Sequence, residues 1–248
     1  MAEVVPEATA LIEEKGKAIG KSTISEMSLM ERSVLFAHLA KTAYFALKEV
    51  QEDAKKFGFT TVEFYEKDGA QAYRLANQHD LVIACRGTEV TSFNDVAADL
   101  KAYPVDSETV GKVHRGFKKE VDDIWPAILE DLAHTDHKDK KFWFCGHSLG
   151  GAMATIMASR CMFNKTVPNP EELYTYGCPR VGFKTYVKSL GIVHHRWVNN
   201  NDVIPTLPPS LIGYRHHGTQ HYLNAHGKVR NPGCFGRMAD KLIGMIMG

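Results

Sequence analysis

The sequence predicts an α/β protein with a mostly parallel central sheet and helices on both faces. Strand-like apolar runs alternate with helical periodicity from Lys118 to Asn199, and this alternation is typical of parallel strands connected by helices. The 248 residues are 44% hydrophobic and 24% charged, which suits an ordinary globular domain with a sizeable core. We therefore expect one domain, 1–248, in which residues 1–58 form a helical extension packed on the rest.

The individual elements follow from local hydrophobic periods. Apolar residues recur near every 3.6 positions in Ser25–Phe57, which predicts helix. The next stretch predicts an antiparallel meander, because short β-rich runs flank turns at Asp68-Gly69 and at residues 78–80. The elements predicted after it are a helix Lys118–His134, a strand Lys141–Cys145, a helix Leu149–Phe163, a strand Leu173–Gly177, a helix Phe183–Leu190 and a strand Arg196–Asn199.

Charge and cysteine usage argue against several classes of protein. The formal net charge is +1 without a basic or acidic block, so neither nucleic acid nor an anionic membrane is expected as a partner. The N-terminal stretch lacks the pattern of a signal peptide, and no run approaches the ~20 apolar residues of a membrane-spanning helix. The odd number of cysteines and the lack of a CxxC spacing predict buried thiols in a reducing compartment, not disulfides or a zinc site. We expect a cytoplasmic protein. The cysteines are Cys85, Cys145, Cys161, Cys178 and Cys234.

The stretch FWFCGHSLGGA, residues 142–152, carries the strongest functional pattern. Ser148 lies in a Gly-x-Ser-x-Gly pattern between Gly146 and Gly150. An apolar strand precedes it and an alanine-rich helix follows, which is the setting in which a sharp turn lifts a serine hydroxyl above a sheet. Such a turn strains the serine backbone and requires neighbours without side chains. Ser148 is therefore a candidate nucleophile, and the alternative is a chance pattern in a loop.

Five motifs extend this pattern along the chain. They are ACRGTE at 84–89, VHRGF at 113–117, GHSLGGA at 146–152, YTYGCPRVG at 174–182 and NNDVIPTLPP at 200–209. Together they resemble the class 3 lipases, the fungal-type triacylglycerol lipases, and the resemblance covers roughly residues 60–232. It implies an α/β-hydrolase fold and hydrolysis of carboxylic esters without a metal or an organic cofactor. The N-terminal helices carry no motif that matches the family.

The resemblance also implies roles for four residues. Ser148 matches the nucleophile and Asp202 matches the acid of a catalytic triad. Thr88 matches one side of the oxyanion hole, through its backbone N–H and hydroxyl, and the backbone N–H of Leu149 matches the other. Without the family, Asp202 is better interpreted as a turn residue before a proline-rich loop. Three further polar side chains near the motifs are expected to be structural: Arg86, His114 and His147.

The segment Glu89–Leu100 lies where the family carries a short helical lid. Val90, Phe93 and Val96 are spaced three apart and would form one apolar face. Such a face either covers the site and meets lipid or packs as an ordinary surface helix. Both interpretations stay open.

The sequence leaves the triad histidine unassigned. The chain order in this fold is serine, acid, histidine, and four histidines follow Asp202: His216, His217, His221 and His226. The first three are expected on a strand, and Asn224–Gly227 as a hairpin turn. The resemblance implies a later histidine, in an Asp-His-Ser type stretch that does not occur here. Either the chain is truncated, which we favour, or His217 or His226 takes the role.

Two classes of function therefore remain. The first is a serine ester hydrolase acting on acylglycerols or other esters through an acyl-enzyme on Ser148, with phospholipase A1 as a variant. The second is a lipid-binding or scaffold protein that lacks the base. A thiol enzyme using Cys145 or Cys178 is not favoured, because apolar surroundings make a thiol inert.

Overall fold

The computed structural model describes residues 23–87, 103–224 and 228–230. The helices are α1 (Leu29–Thr42), α2 (Leu47–Lys56), α3 (Arg115–Leu132), α4 (Leu149–Phe163) and α5 (Lys184–Ser189). The strands are β1 (Thr61–Lys67), β2 (Ala70–Ala76), β3 (Asp80–Arg86), β4 (Pro104–Asp106), β5 (Lys112–His114), β6 (Lys141–His147), β7 (Glu172–Tyr176), β8 (Gly182–Phe183), β9 (Val193–Asn199), β10 (Tyr214–Arg215), β11 (Thr219–Leu223) and β12 (Val229–Arg230). Short 3-10 turns occupy Ile24–Glu26, Thr135–His137, Ile204–Thr206 and Ser210–Ile212.

The central sheet has the order β1-β2-β3-β6-β7-β9-β11-β12 among the described strands. Strands β3, β6, β7, β9 and β11 run parallel, whereas β1, β2 and β12 are antiparallel to their neighbours. The mostly parallel sheet predicted from the sequence is confirmed. Strands β4, β5, β8 and β10 form a separate small sheet. The parallel strands all end at one edge, where such sheets place their sites.

Helices cover both faces of the central sheet. On one face α1 and α2 bury a cluster that includes Phe36, Leu39 and Trp143 of β6. On the other face α3 and α4 bury a cluster that includes Met157 and Phe144 of β6. Because β6 is buried on both faces, its sequence FWFC is apolar at every position.

The N-terminal helical stretch is broken where the sequence predicts continuity. Residues 43–46 separate α1 from α2. The chain leaves α1 through tight turns, in which the amides of Tyr44 and Phe45 donate to carbonyls three residues back (3.1 and 2.9 Å). The carboxylate of Glu49 then accepts the backbone N–H of Ala46 (3.1 Å) at the start of α2. Tyr44 lies in this break. The predicted Asp68-Gly69 turn is confirmed, with positive φ angles of 52° and 89°.

At the β11–β12 end of the sheet, the expected strand of three histidines is wrong and the expected hairpin is confirmed. Of the three histidines predicted to share a strand, only His221 lies on one, β11. Gly218 (φ 80°) turns the chain after His216 and His217, which leaves them between β10 and β11. Strands β11 and β12 pair antiparallel, so the predicted hairpin is confirmed, although its tip, residues 225–227, lies outside the described residues.

In the part of the chain that the structure describes, none of the helices has an apolar stretch long enough to cross a membrane.

Candidate active site

Ser148 occupies the sharp turn between β6 and α4. Its backbone has φ 53° and ψ −125°, and such a conformation costs a residue with a side chain about 1–3 kcal/mol. The turn is held by two backbone hydrogen bonds: the amide of Ser148 donates to the carbonyl of Tyr176 (2.9 Å), and the amide of Gly151 donates to the carbonyl of Ser148 (3.0 Å). The strained turn that the Gly-x-Ser-x-Gly pattern predicts is therefore present.

Glycines on both sides allow this turn to form. A Cβ atom on Gly146 would stand 2.3 Å from the carbonyl oxygen of Gly150. A Cβ atom on Gly150 would stand 2.3 Å from the carbonyl oxygen of Cys85 at the end of β3. Both neighbours are backbone atoms, which cannot rotate away as a flexible side chain can. The two glycines therefore bring α4 directly against the ends of β3 and β6.

Asp202 lies in the loop after β9, at the edge of the sheet where Ser148 lies. Its Oδ1 atom accepts a hydrogen bond from the amide of Ile204 (2.9 Å). If Gly177 carried a Cβ atom, that Cβ would lie 2.5 Å from Oδ2 of Asp202 and 3.6 Å from Nε2 of His147. Gly177 (φ 58°) directly follows β7, the neighbour of β6. A glycine is thus required where the carboxylate comes close to the serine turn.

The oxyanion donors predicted from the sequence are described in part. Leu149 is the first residue of α4, and the amides of a first helical turn have no acceptor within the helix. They point outward at the positive end of the helix dipole, which suits a negatively charged oxygen. Thr88 and the lid segment Glu89–Leu100 lie outside the described residues, so their roles stay predictions.

Tyr44 reaches the serine turn from the break between α1 and α2. Its hydroxyl oxygen lies 3.1 Å from Nδ1 of His147 and 3.4 Å from the carbonyl oxygen of His147. The guanidinium of Arg86 lies 5.8 Å from the centre of the Tyr44 ring. Sequence reasoning missed Tyr44, because the contact joins residues 103 positions apart and no local pattern marks it.

The histidine candidates for the base are placed as follows. The ring contacts are His216 Nε2 with the carbonyl oxygen of Pro205 (2.7 Å), His217 Nδ1 with His194 Nδ1 (3.2 Å) and His221 Nε2 with His195 Nδ1 (3.0 Å). Burial lowers the pKa of His216 to about 3. His226 lies outside the described residues.

The structure does not bring His217 to Ser148. His217 stacks on His194, with ring centroids 5.4 Å apart. His194 pairs with Leu173, which pairs with Phe144, four residues before Ser148. Four residues of strand span about 13 Å, so the two groups lie at different heights of the sheet.

The remaining predicted side chains have structural contacts. The ring of His114 accepts hydrogen bonds from the amides of Gly116 and Phe117 at the start of α3. Cys85, Cys145, Cys161 and Cys178 are buried and not in disulfides. Burial raises the pKa of the Cys161 and Cys178 thiols to about 12, so they are unreactive near neutral pH. Cys234 lies outside the described residues. In the ranges that the structure covers, no three His, Cys, Asp or Glu side chains form a group that could hold a metal ion.

A strained serine between glycines, at the carboxyl edge of a mostly parallel sheet flanked by helices, is the arrangement of an α/β hydrolase. The sequence profile described as Lipase (class 3) matches residues 82–212, just over half of the chain. The chain belongs to this family of α/β hydrolases.

Comparison with individual proteins gives the same family. The chain is 40% identical to the Toxin TseL of Vibrio cholerae over 116 residues, which are 46% of this chain and 18% of the toxin. It is 30% identical to a lipase of Rhizomucor miehei over 184 residues, 71% of this chain and 50% of that lipase. The crystal structure of a lipase from Rhizopus microsporus var. chinensis superimposes with a TM-score of 0.64 at 26% identity, covering 82% of this chain and 76% of that one. The chain therefore spans at most half the length of the toxin and of the Rhizomucor miehei lipase.

Replacement of Gly150 by alanine tests the close approach of α4 to β3. We expect Gly150→Ala to lower the free energy of unfolding by about 3 kcal/mol or more, because the new methyl group overlaps a backbone carbonyl. The measurement is urea denaturation followed by circular dichroism. Gly191→Ala is the matched control, because its methyl group would meet only the mobile end of Met162 at 3.3 Å. Equal stability of the two variants would contradict this account of the turn.

Proposed function

We propose that the protein hydrolyses carboxylic esters, acylglycerols in particular, through an acyl-enzyme formed on Ser148. The observation that carries the proposal is the backbone of Ser148, held at φ 53° between two glycines whose contacts leave no room for a side chain. Strained conformations of this kind are concentrated at functional sites. Membership in the class 3 lipase family supports the same reaction.

The proposed reaction gives each group one role. Ser148 Oγ attacks the ester carbonyl carbon, and a histidine takes the hydroxyl proton and delivers it to the leaving alcohol. The amide of Leu149, with Thr88, stabilises the tetrahedral oxyanion, and each such donor contributes on the order of 3 kcal/mol. Water then attacks the acyl-enzyme, and the histidine again transfers the proton. Asp202 orients the histidine and stabilises its charged form.

The base is proposed to be a histidine that follows Asn224: either His226 or a histidine in an Asp-His-Ser type stretch, which residues 1–248 do not contain. His216, His217 and His221 already contact Pro205, His194 and His195. The family resemblance favours a later Asp-His-Ser type stretch over His226.

The proposed substrates rest on what the relatives are called. The Rhizomucor miehei relative is a lipase, and a relative from Fusarium solani, 36% identical over 117 residues, is a secreted mono- and diacylglycerol lipase. Phospholipase A1 activity and lipid binding without catalysis are the competing outcomes of the tests below. The proposed lid, Glu89–Leu100, would add contact with a lipid surface.

Replacement of the nucleophile tests the proposed reaction. We expect Ser148→Ala to lower kcat for p-nitrophenyl butyrate by about a thousandfold or more, because the acyl-enzyme cannot form. Release of p-nitrophenolate measures turnover, and Ser210→Ala, at an exposed position, is the control.

The same pair of variants is then assayed on dioctanoylglycerol and on phosphatidylcholine vesicles. Preference for the phospholipid would replace the acylglycerol proposal with phospholipase A1. Lipid binding by a parent protein that hydrolyses none of the three substrates would favour the non-catalytic function.

Replacement of His226 tests the assignment of the base. We expect His226→Ala to leave kcat within about twofold in the longest natural form of the protein, because the resemblance places the base in a later stretch. His134→Ala, with a side chain 61% exposed, is the control for a surface histidine. A loss of about a thousandfold for His226→Ala alone would assign the base to His226.

A further inference from the structure

The hydroxyl of Tyr44 lies where two chain segments of the site meet. It is 3.1 Å from the imidazole of His147 and 3.4 Å from the carbonyl of His147. The hydroxyl also lies against Gly87. A Cβ atom placed on Gly87 would be only 2.6 Å from the Tyr44 hydroxyl oxygen and 3.0 Å from the His147 carbonyl oxygen. One hydroxyl therefore contacts the end of β6 and lies against the residue that follows β3.

Both of these segments lead directly into groups that the reaction uses. His147 precedes Ser148, and Gly87 precedes Thr88, the predicted oxyanion residue. A nucleophile and an oxyanion hole must be held within about 0.5 Å of their productive positions to work together. A group that fixes the two segments relative to each other thus bears on the rate of the chemical step.

The segment that carries Tyr44 is itself firmly held. Phe36 of α1 stacks on Tyr174 of β7, with ring centroids 4.5 Å apart, and lies 5.7 Å from the ring of Trp143 on β6. Next to Tyr44, the carbonyl of Phe45 accepts a hydrogen bond from the hydroxyl of Tyr73 (2.9 Å). Tyr44 is half-buried and projects from a backbone that is tied to the sheet on both sides.

The imidazole of His147 extends this contact toward Asp202. Desolvation lowers the pKa of His147, which favours a neutral ring with one proton. A Cβ atom placed on Gly177 would lie 3.6 Å from Nε2 of His147 and 2.5 Å from Oδ2 of Asp202, so the imidazole and the carboxylate lie in the same part of the site.

We infer that Tyr44 is a positioning residue for ester hydrolysis: its hydroxyl holds His147 and Gly87 so that Ser148 stays aligned with the end of β3. The inference rests on the proposed function and adds to it a role for the N-terminal helical part of the chain. Tyr44 acts through the backbone and side chain of its neighbours and does not enter the reaction itself.

Comparison of two hydroxyl deletions tests the inference. We expect Tyr44→Phe to lower kcat for p-nitrophenyl butyrate about tenfold with KM within twofold, because alignment is lost while the binding surface is kept. The reaction of Ser148 with diethyl p-nitrophenyl phosphate, in which Oγ displaces p-nitrophenolate from phosphorus, is expected to slow by a similar factor. If the Tyr44 hydroxyl only stabilised the fold, a folded Tyr44→Phe variant would keep both the parent's kcat and its rate of reaction with the phosphate ester.

Tyr73→Phe is the matched control. It removes a hydroxyl that ties the same N-terminal segment to the sheet, through the carbonyl of Phe45, without touching the serine turn. We expect its kcat and its phosphorylation rate to stay within twofold of the parent. Urea denaturation shows whether both variants remain folded under the assay conditions.

The outcomes separate the inference from the function on which it rests. If the longest natural form of the protein neither hydrolyses the ester nor reacts at Ser148, the proposed function is refuted, and the inference fails with it. An active parent whose Tyr44→Phe variant behaves like Tyr73→Phe, or changes only in KM, overturns the inference alone. If Tyr44→Phe does not fold, His147→Ala provides the test: a loss of at least about threefold in kcat is expected, and an unchanged kcat overturns the inference.

Discussion

The close approach of α4 to the ends of β3 and β6 is the contact on which the rest of the site depends. It exists because the junction is lined by glycines. A methyl group on Gly146 or Gly150 would overlap neighbouring backbone, and one on Gly87 would overlap the hydroxyl of Tyr44. The approach fixes the position of Ser148 at the start of α4. The next parallel strands then add Gly177 and Asp202 at the same edge. Backbone contacts therefore determine where the candidate catalytic residues lie relative to one another.

Burial of β6 on both faces connects this junction to the N-terminal helices. The strand has α4 on one side and α1 on the other, and Phe36 lies against the aromatic rings of Trp143 and Tyr174. The sequence presents the N-terminal region as an extension without a family motif. In the structure α1 and α2 pack on the sheet and complete one half of the core. Tyr44 stands at the end of this layer, which explains how a residue so distant in sequence reaches the serine turn.

The parts of the fold that were predictable depend on local patterns. The turn at Ser148 follows from two glycines between an apolar strand and a small-residue helix, and α4 has the predicted limits, Leu149–Phe163. The meander follows from turn residues such as Gly69, whose φ is 89°. The break before α2 is not apparent from the sequence, because the hydrophobic period continues through it and only the capping carboxylate of Glu49 marks the new start.

Contacts between distant segments were not predictable in the same way. The role of Tyr44 depends on a helix that packs across the sheet, and no spacing within residues 29–56 indicates it. The positions of His216 and His217 depend on Gly218, whose left-handed backbone ends one strand and starts the next. Asp202 was assigned only through the family, because its carboxylate is brought toward Ser148 by the pairing of β6, β7 and β9.

The seam between β9 and β11 contains paired imidazoles on both faces of the sheet, His194 with His217 and His195 with His221. Burial lowers the pKa of all four rings below their usual value. The unfolded chain therefore binds more protons at these positions, and the free energy of unfolding falls as the pH drops below about 6.5, the ordinary pKa of histidine. Acid should thus loosen the sheet first at this seam, which amide hydrogen exchange in β11 at pH 5 and pH 7 would reveal. The strand that borders the loop of Asp202 would then be the acid-labile part of the central sheet.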